Sequence, residues 1–321
     1  MSLRALTYDQ RSLKKASNQS PSANDIIPFH HENSLKPSKV IDLFLEQFKY
    51  VLSSEDLSRM IQLVKGQLFQ RDYLSAFDCD DKRFAYAARW TPARALAYSS
   101  LFASCPEILA LFSDPDKQSR VLCVGGGAAS ELVGLASVFC CLKTPNGDTP
   151  SSLHMDVIDI ADWSSIVNNV TSYIQNKWLY SASKLSAEFR LGDVLTQTPD
   201  DLKLSQLDLV TLLFTTNELF CEKRTETIRF LQSLGTNCHK GALLLITESA
   251  GSFSHITVGL KQFPVQFLID TILIGKPGVE NGPWEVVKQS ESCWYRVNER
   301  EVSYPVKLEN MRFFYRLYRK K

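Results

Sequence analysis

The sequence has no Cys-x-x-Cys pair, no Cys/His cluster at zinc-ligand spacing and no apolar run of the roughly 18 residues a membrane span needs. The N-terminal stretch MSLRALTYDQRSLKK also lacks the apolar segment of a secretory signal. Eight cysteines, at 79, 105, 123, 140, 141, 221, 238 and 293, form no motif. Zinc-ribbon, membrane and secreted classes are disfavoured, no metal is expected, and an intracellular compartment with reduced thiols is favoured. An excess of one charge is missing too: 36 Lys and Arg against 35 Asp and Glu leave +1. Its distribution is uneven, however. Arg59, Lys65, Arg71, Lys82, Arg83, Arg89 and Arg94 outnumber the acids between 59 and 94, and Arg312, Arg316, Arg319, Lys320 and Lys321 end the chain without an acid among them. If these segments meet on one face they make a patch for a polyanion; solvated surface charge is the plainer reading.

What is present is a chain of 321 residues, 44% hydrophobic and 22% charged, long enough for one large domain with an appendage. Residues 1–35, rich in Ser, Asn, Gln and Lys, read as a disordered arm. Residues 38–115 read as an all-helical extension. In it Val40, Ile41, Phe44, Leu45 and Phe48 recur at helical spacing, and Ser53 with Asp56 resembles a capping box opening a helix that buries Leu57, Met60, Ile61, Val64 and Leu68. Thr91-Pro92 reads as an N-cap and first helical residue. From 116 to 321 strands and helices alternate: strands at 121–124, 153–159, 188–194, 207–214 and 242–247, helices at 128–142, 163–178, 222–238 and near 254–274. This argues for a parallel sheet covered on both faces. The segments 293–297 and 311–318, with no helix between them, are expected to close it as an antiparallel hairpin.

VLCVGGGAASE (121–131) sets Gly125, Gly126 and Gly127 between a strand and a helix, where backbone can approach a ligand and helix N–H groups point at it. Three readings stand: a dinucleotide site, an S-adenosylmethionine (SAM) site, and a glycine turn without a ligand. The dinucleotide fingerprint asks for Gly or Ala where Ser130 stands and for an acid about 20 residues on. Asp159 comes later, a delay the loop at 143–152 explains. Topology separates the readings further, because a dinucleotide domain continues into a second βαβαβ half. Seven strands closed by a hairpin are the organisation of class I SAM-dependent methyltransferases. On that reading Asp159 takes the ribose hydroxyls and Asp193 accepts the adenine exocyclic amine; each is also readable as a loop-capping aspartate.

The glycine turn, FTTNELF (214–220), TESAGSFS (247–254), SCWYR (292–296) and LENMRFFYRLYR (308–319), with RDYLSAF (71–77) and RWTPARALAY (89–98) ahead of them, resemble the fungal large-subunit rRNA uridine-N(3) methyltransferases. The resemblance covers nearly everything after residue 38. It implies an α/β fold, a class I Rossmann-like seven-stranded sheet with a terminal antiparallel hairpin behind the helical extension. It implies SAM as cofactor, large-subunit rRNA or a pre-ribosomal particle as partner, no membrane, and a nuclear or nucleolar location with the cytoplasm left open. The chain departs from many class I enzymes at Cys123-Val124, where they carry an acid, so the contact to the methionine amino group must come from elsewhere.

The uridine-N(3) chemistry so implied needs an imide proton removed. Thr215, Thr216, Asn217 and Glu218 follow the strand at 207–214, at the sheet edge where such folds bind ligands. Thr215 is expected at the cofactor, Asn217 at an imide carbonyl, and Glu218 as proton acceptor; the same residues also read as a helix start. No Asp/Asn-Pro-Pro-Tyr/Phe sequence follows that strand, which weakens amino-group methylation, and Cys221 is set aside as a nucleophile for want of a basic neighbour. For RNA the expected contacts are Arg71, Tyr73, Arg89, Trp90 and Arg94, an aromatic and basic mixture that suits single strands, with Phe84 and Tyr86 as further stacking faces. In the last strand Met311, Phe313, Tyr315 and Leu317 are expected in the core, and Arg312 and Arg316 at phosphate. Two rival functions stand beside this one: a degenerate SAM- or RNA-binding assembly factor and a small-molecule methyltransferase.

Overall fold

The computed structural model describes residues 25–143, 150–251, 255–258 and 261–321. Five strands run parallel: β2 (Gln118–Val124), β3 (Ser152–Asp159), β4 (Leu185–Leu191), β5 (Leu209–Leu213) and β6 (Leu243–Ser249). The hairpin of β9 (Trp284–Tyr295) and β10 (Met311–Lys320) joins β6 antiparallel, as the turn residues between its arms require. With β1 (Asp25–Ile26) the sheet order is β1-β9-β10-β6-β5-β2-β3-β4, and β7 (His255–Val258) pairs with β8 (Lys261–Pro264) apart from it.

The seven expected strands are thus present. Their unbroken apolar runs follow from burial on both faces. Val121, Cys123, Leu243 and Leu245 enter one core, while Leu122, Val124, Leu244 and Ile246 enter the other. Both faces of β10 are covered as well, Phe313, Tyr315 and Leu317 entering one core and Phe314 and Tyr318 the other. Phe314 and Tyr318 are buried, contrary to the one-sided pattern expected of it. Arg316 is buried with them at 3% exposure, ion-paired to Asp270 and Glu291, so the expected phosphate contact is corrected to an internal ion pair.

Among the described residues six helices precede β2: α1 (Pro37–Gln47), α2 (Lys49–Leu52), α3 (Leu57–Phe69), α4 (Tyr73–Ala76), α5 (Asp80–Ala103) and α6 (Pro106–Ser113). They share one core with α7 (Ser130–Leu142) and α8 (Ser164–Tyr173) on one face of the sheet. Gly134 of α7 permits the closest approach, since a Cβ there would stand 2.9 Å from the Tyr98 Cβ of α5. On the opposite face lie α9 (Thr216–Glu222), α10 (Arg224–Asn237) and α11 (Val265–Leu273). Among the described residues no single helix is long and apolar enough to cross a membrane.

Several local expectations are corrected. The arm assigned to 1–35 is ordered from Asp25, where β1 pairs with Cys293 and Trp294, Ser100 Oγ donates to the Pro28 carbonyl (2.6 Å) and Tyr295 Oη donates to that of Phe29 (3.1 Å); residues 1–24 lie outside the described ones. Ser53 caps nothing ahead of it, because its hydroxyl donates back to the Lys49 carbonyl. Of the apolar residues assigned to α3, Leu57 and Val64 are buried and the rest are partly or largely exposed. The helix expected near 254–274 is the β7–β8 ribbon followed by a shorter α11, and residues 252–254 fall outside the described ones. The helix expected at 222–238 is broken at Lys223 (φ −138°, ψ 67°).

Thr91-Pro92 starts no helix either. Pro92 lies inside α5, where its missing N–H leaves the Ala88 carbonyl without its intrahelical donor. The Tyr304 hydroxyl, from the β9–β10 connector, donates to that carbonyl at 2.9 Å. Tyr304→Phe should therefore cost about 1–2 kcal/mol, the usual range for a buried acceptor left unpaired. Denaturant unfolding measures it, and an unchanged midpoint would mean that the kink is satisfied without the hydroxyl.

Candidate active site

At the carboxyl ends of β2, β3 and β5, beneath α5, an open cavity of about 1140 Å³ is lined by Gly125, Gly126, Asp159, Asp193, Thr215 and Glu218 among others. The glycine turn follows β2. Gly125 has φ 70°, and a Cβ there would lie 2.5 Å from Thr215 Oγ1, so glycine is needed both for the conformation and for the approach of the β5 loop. Thr215 in turn donates from its hydroxyl to the Val124 carbonyl (3.1 Å), locking that loop to the turn. The third glycine has a different reason. A Cβ on Gly127 would stand 2.0 Å from Trp163 Cδ1, so Gly127 makes room for an indole, and Gly127→Asp would disrupt packing before it disturbed a ligand.

Asp159, ending β3, accepts from the N–H of Gly127 (3.1 Å) and of Ala161 (3.1 Å) and still lines the cavity; burial raises its carboxyl above the ordinary value. Asp193 accepts from Leu195 N–H (2.9 Å) and pairs with Lys223 Nζ at 2.6 Å, so the kink at Lys223 serves to bring that amine across. Both Asp193 oxygens are engaged by the protein itself.

The loop after β5 starts α9, with Thr215 as N-cap, so the helix-start reading of these residues holds. Asn217 faces away from the cavity: its backbone N–H and side-chain amide donate to the two oxygens of Glu248, at 2.8 and 3.1 Å. Its expected contact with a bound base is corrected to a tie across to β6. Glu218 lines the cavity, with the Tyr73 hydroxyl donating to it, and burial, reinforced by the charges of Glu248 and Asp159, pushes its carboxyl up to about 8.

Glu131, in the first turn of α7, belongs to no sequence motif. It is 2% exposed, lines the cavity, and burial raises its carboxyl to about 8. Its Oε1 has no hydrogen-bond partner, and its Oε2 would lie 2.6 Å from a Cβ on Gly126. It puts a carboxyl against the glycine turn from behind, where the sequence has none ahead of it. The signal was the SE that follows GGGAA, legible only once the helix folds back over the turn.

These residues fit a cationic ligand. The lining holds Glu131, Asp159, Asp193, Glu218 and Glu222 against Arg94 and Lys223. An orphaned buried carboxylate oxygen suits the ammonium group of a methionine moiety, Asp159 a pair of ribose hydroxyls, and the exposed turn backbone a close approach.

A family model described as a putative SAM-dependent methyltransferase matches residues 44–319, and the 25S rRNA (uridine(2843)-N(3))-methyltransferase of Saccharomyces cerevisiae is 46% identical over 330 residues, covering 94% of this chain and 90% of that protein. The chain belongs to this SAM-dependent methyltransferase family. Among solved structures the methyltransferase is similar to the N-methyltransferase NodS of Bradyrhizobium japonicum WM9 in complex with S-adenosyl-L-homocysteine (15% identity, 68% of this chain and 89% of that one, TM-score 0.37). It is also similar to an O-methyltransferase family protein of Burkholderia thailandensis (13% identity, 84% and 74%, TM-score 0.39).

The remaining expected RNA contacts of the methyltransferase divide by place. Tyr73 and Arg94 line the SAM cavity, Arg94 with a guanidinium that donates to the Tyr86 hydroxyl. Phe84 packs edge-on to Phe48, and Tyr86 is buried beside Phe77 and Trp163. Arg89 pairs with Glu309 (2.5 Å) and donates to the Lys307 carbonyl (2.8 Å). Arg71 Nη1 donates to Cys221 Sγ at 3.0 Å, so the exposed thiol does have a basic neighbour. Arg312 stands at the site end of β10, paired in register with Trp294, while Arg319 is at the opposite edge of the sheet beside Glu107 and Glu285. The two basic segments therefore meet only in part.

Three buried carboxyls, Glu131, Glu218 and Glu248, the last raised to about 7 by burial, make the ligand-free protein sensitive to alkali. Their folded values lie above the ordinary 4.5, so the native state holds more protons than the unfolded one between about 4.5 and 8. Stability is greatest below that window and falls as pH rises through it. Melting temperatures at pH 5.5, 7 and 8.5 should decline, with SAM offsetting the loss; a constant or rising melting temperature would refute the burial of these groups.

Proposed function

We propose that this methyltransferase transfers the methyl group of SAM to N(3) of a uridine in large-subunit rRNA, acting on the RNA or on a pre-ribosomal particle in the nucleus or nucleolus. The observation that carries the reading is Glu218, a buried carboxyl at the β5 edge of the SAM cavity whose proton affinity is raised to about 8. The name of the 46% identical yeast relative supports the same substrate. A uracil imide is a weak acid, and a general base works best with a pKa near the operating pH. A carboxyl raised by burial, as Glu218 is, matches that proton better than an exposed carboxylate does.

Bound in the cavity, SAM supplies an electrophilic methyl group on a sulfonium. The chain's own part is to hold and to deprotonate. Glu131 and Asp159 are placed for the two ends of the cofactor, Thr215 fixes the loop against the glycine turn, and Glu218 takes the imide proton onto its carboxylate, with Arg94 opposing the negative charge left on the base. Fixing donor and acceptor at attack distance contributes on the order of 7–11 kcal/mol to such a displacement. The degenerate-scaffold alternative rested on the absent acid before the glycines, and Glu131 removes that support.

The test is reverse transcription of large-subunit rRNA from cells with and without the protein. A methyl on the pairing edge blocks copying, so one stop should vanish when the protein is lost and return with it. Identical stops in both would rule out the uridine reading.

A further inference from the structure

A second, open cavity, of about 570 Å³ with the solvent at its mouth included, adjoins the SAM cavity. Arg94 and Phe214 line both and form the partition between them. The other walls come from distant parts of the chain: Trp90 from α5, and Asn310, Met311 and Arg312 from the start of β10.

The partition is held under strain. Phe214 has φ 62°, a region that bulky L-residues seldom occupy, and such backbone persists where surroundings impose it, often at ligand sites. Its N–H donates to the Thr247 carbonyl (2.9 Å), and its ring stands edge-on to Phe313 at 6.3 Å with the Arg94 guanidinium 5.8 Å above it. Trp90 is only partly buried, with Tyr86 5.0 Å away and the Arg89 guanidinium 5.4 Å from its ring. Arg89, pinned by Glu309, braces that ring. Asn310 accepts from Val297 N–H through Oδ1 at 2.8 Å, which fixes the amide at the mouth.

The geometry points to this second cavity as the acceptor slot. It takes one unstacked pyrimidine base of an RNA against the Trp90 and Phe214 rings, with the pairing edge passing Arg94 into the SAM cavity to face Glu218 and the neighbouring phosphate toward Arg312. A base modified on its pairing edge must leave its stack, and an aromatic wall replaces the stacking it loses. That the base is a uridine rests on the function proposed above; that the slot holds a base does not.

The experiment uses the full chain and large-subunit rRNA transcribed with 4-thiouridine in place of uridine, irradiated as a complex, with the crosslinked peptides mapped by mass spectrometry. Crosslinks are expected on the peptides bearing Trp90 and Phe214. Trp90→Leu should raise the KM for unmodified rRNA on the order of 10- to 100-fold with SAM affinity retained, and Trp90→Phe should restore most of it. Crosslinks confined to other peptides, with Trp90→Leu at the wild-type KM, would overturn the slot. Crosslinks in the slot from a protein that leaves uridine unmethylated would overturn the uridine reading and keep the slot.

Discussion

Glu218→Gln is expected to slow methyl transfer by roughly two to four powers of ten, the span usual for loss of a general base, with SAM affinity preserved. The glutamine keeps the shape and can still take the Tyr73 hydroxyl, but it holds no proton. The pH profile distinguishes the base from a positioning role. The wild-type carboxyl is raised to about 8, so the rate should climb as pH passes through that value and the carboxylate forms. In the variant the climb should move to the higher pH at which uridine ionises unaided. A slow variant with no recovery at high pH would make Glu218 a positioning residue, and full activity would leave it only its place in the first turn of α9. Asn217→Ala serves as a contrast. It removes one of the donors to Glu248, so it should slow the reaction at every pH by loosening the loop.

Asp159→Ala should weaken SAM binding by roughly two to four powers of ten, from the loss of two hydrogen bonds to a charged acceptor at about 1.5–3 kcal/mol each. Calorimetry reads this directly. The same carboxylate accepts from Gly127 and Ala161, so the alanine variant should also melt earlier than the wild type. Asp159→Asn separates the effects. Its single neutral carbonyl oxygen accepts more weakly than the carboxylate it replaces, so its affinity should fall between wild type and alanine. Wild-type affinity in both variants would place the cofactor elsewhere.

The sheet was legible because its strands are buried on both faces and therefore read as continuous apolar runs such as the LLLI of β6, which no other environment explains as simply. The glycine turn and the acid ending β3 stand out as local strings, but what they meet does not: Gly125 makes room for Thr215, Gly127 for Trp163, and Asp159 accepts from Gly127 across 32 residues. Misreadings arose where a partner lies far along the chain. Pro92 looks like a helix start until Tyr304 supplies the missing donor, and Arg316 looks like a phosphate ligand until Asp270 and Glu291 arrive from other elements. Glu131 follows the same logic in reverse, an unremarked acid until the fold leaves one of its oxygens with nothing to bind. Asn217 and Glu218 are adjacent, yet helical rotation sends one to Glu248 and the other into the cavity.

The strap formed by β1 imposes an order in time. Phe29 and Tyr295 meet across 266 residues, so the earliest described strand has nothing to pair with until one of the last exists. Loop-closure entropy grows only slowly with such a span and does not forbid the contact. During synthesis, though, the segment around Asp25 must wait while the rest of the sheet assembles, because its pairing residues Cys293 and Trp294 are made late. Docking of the strap then covers the Cys293–Trp294 stretch of the β9 edge, and it can do so only after the hairpin is in place.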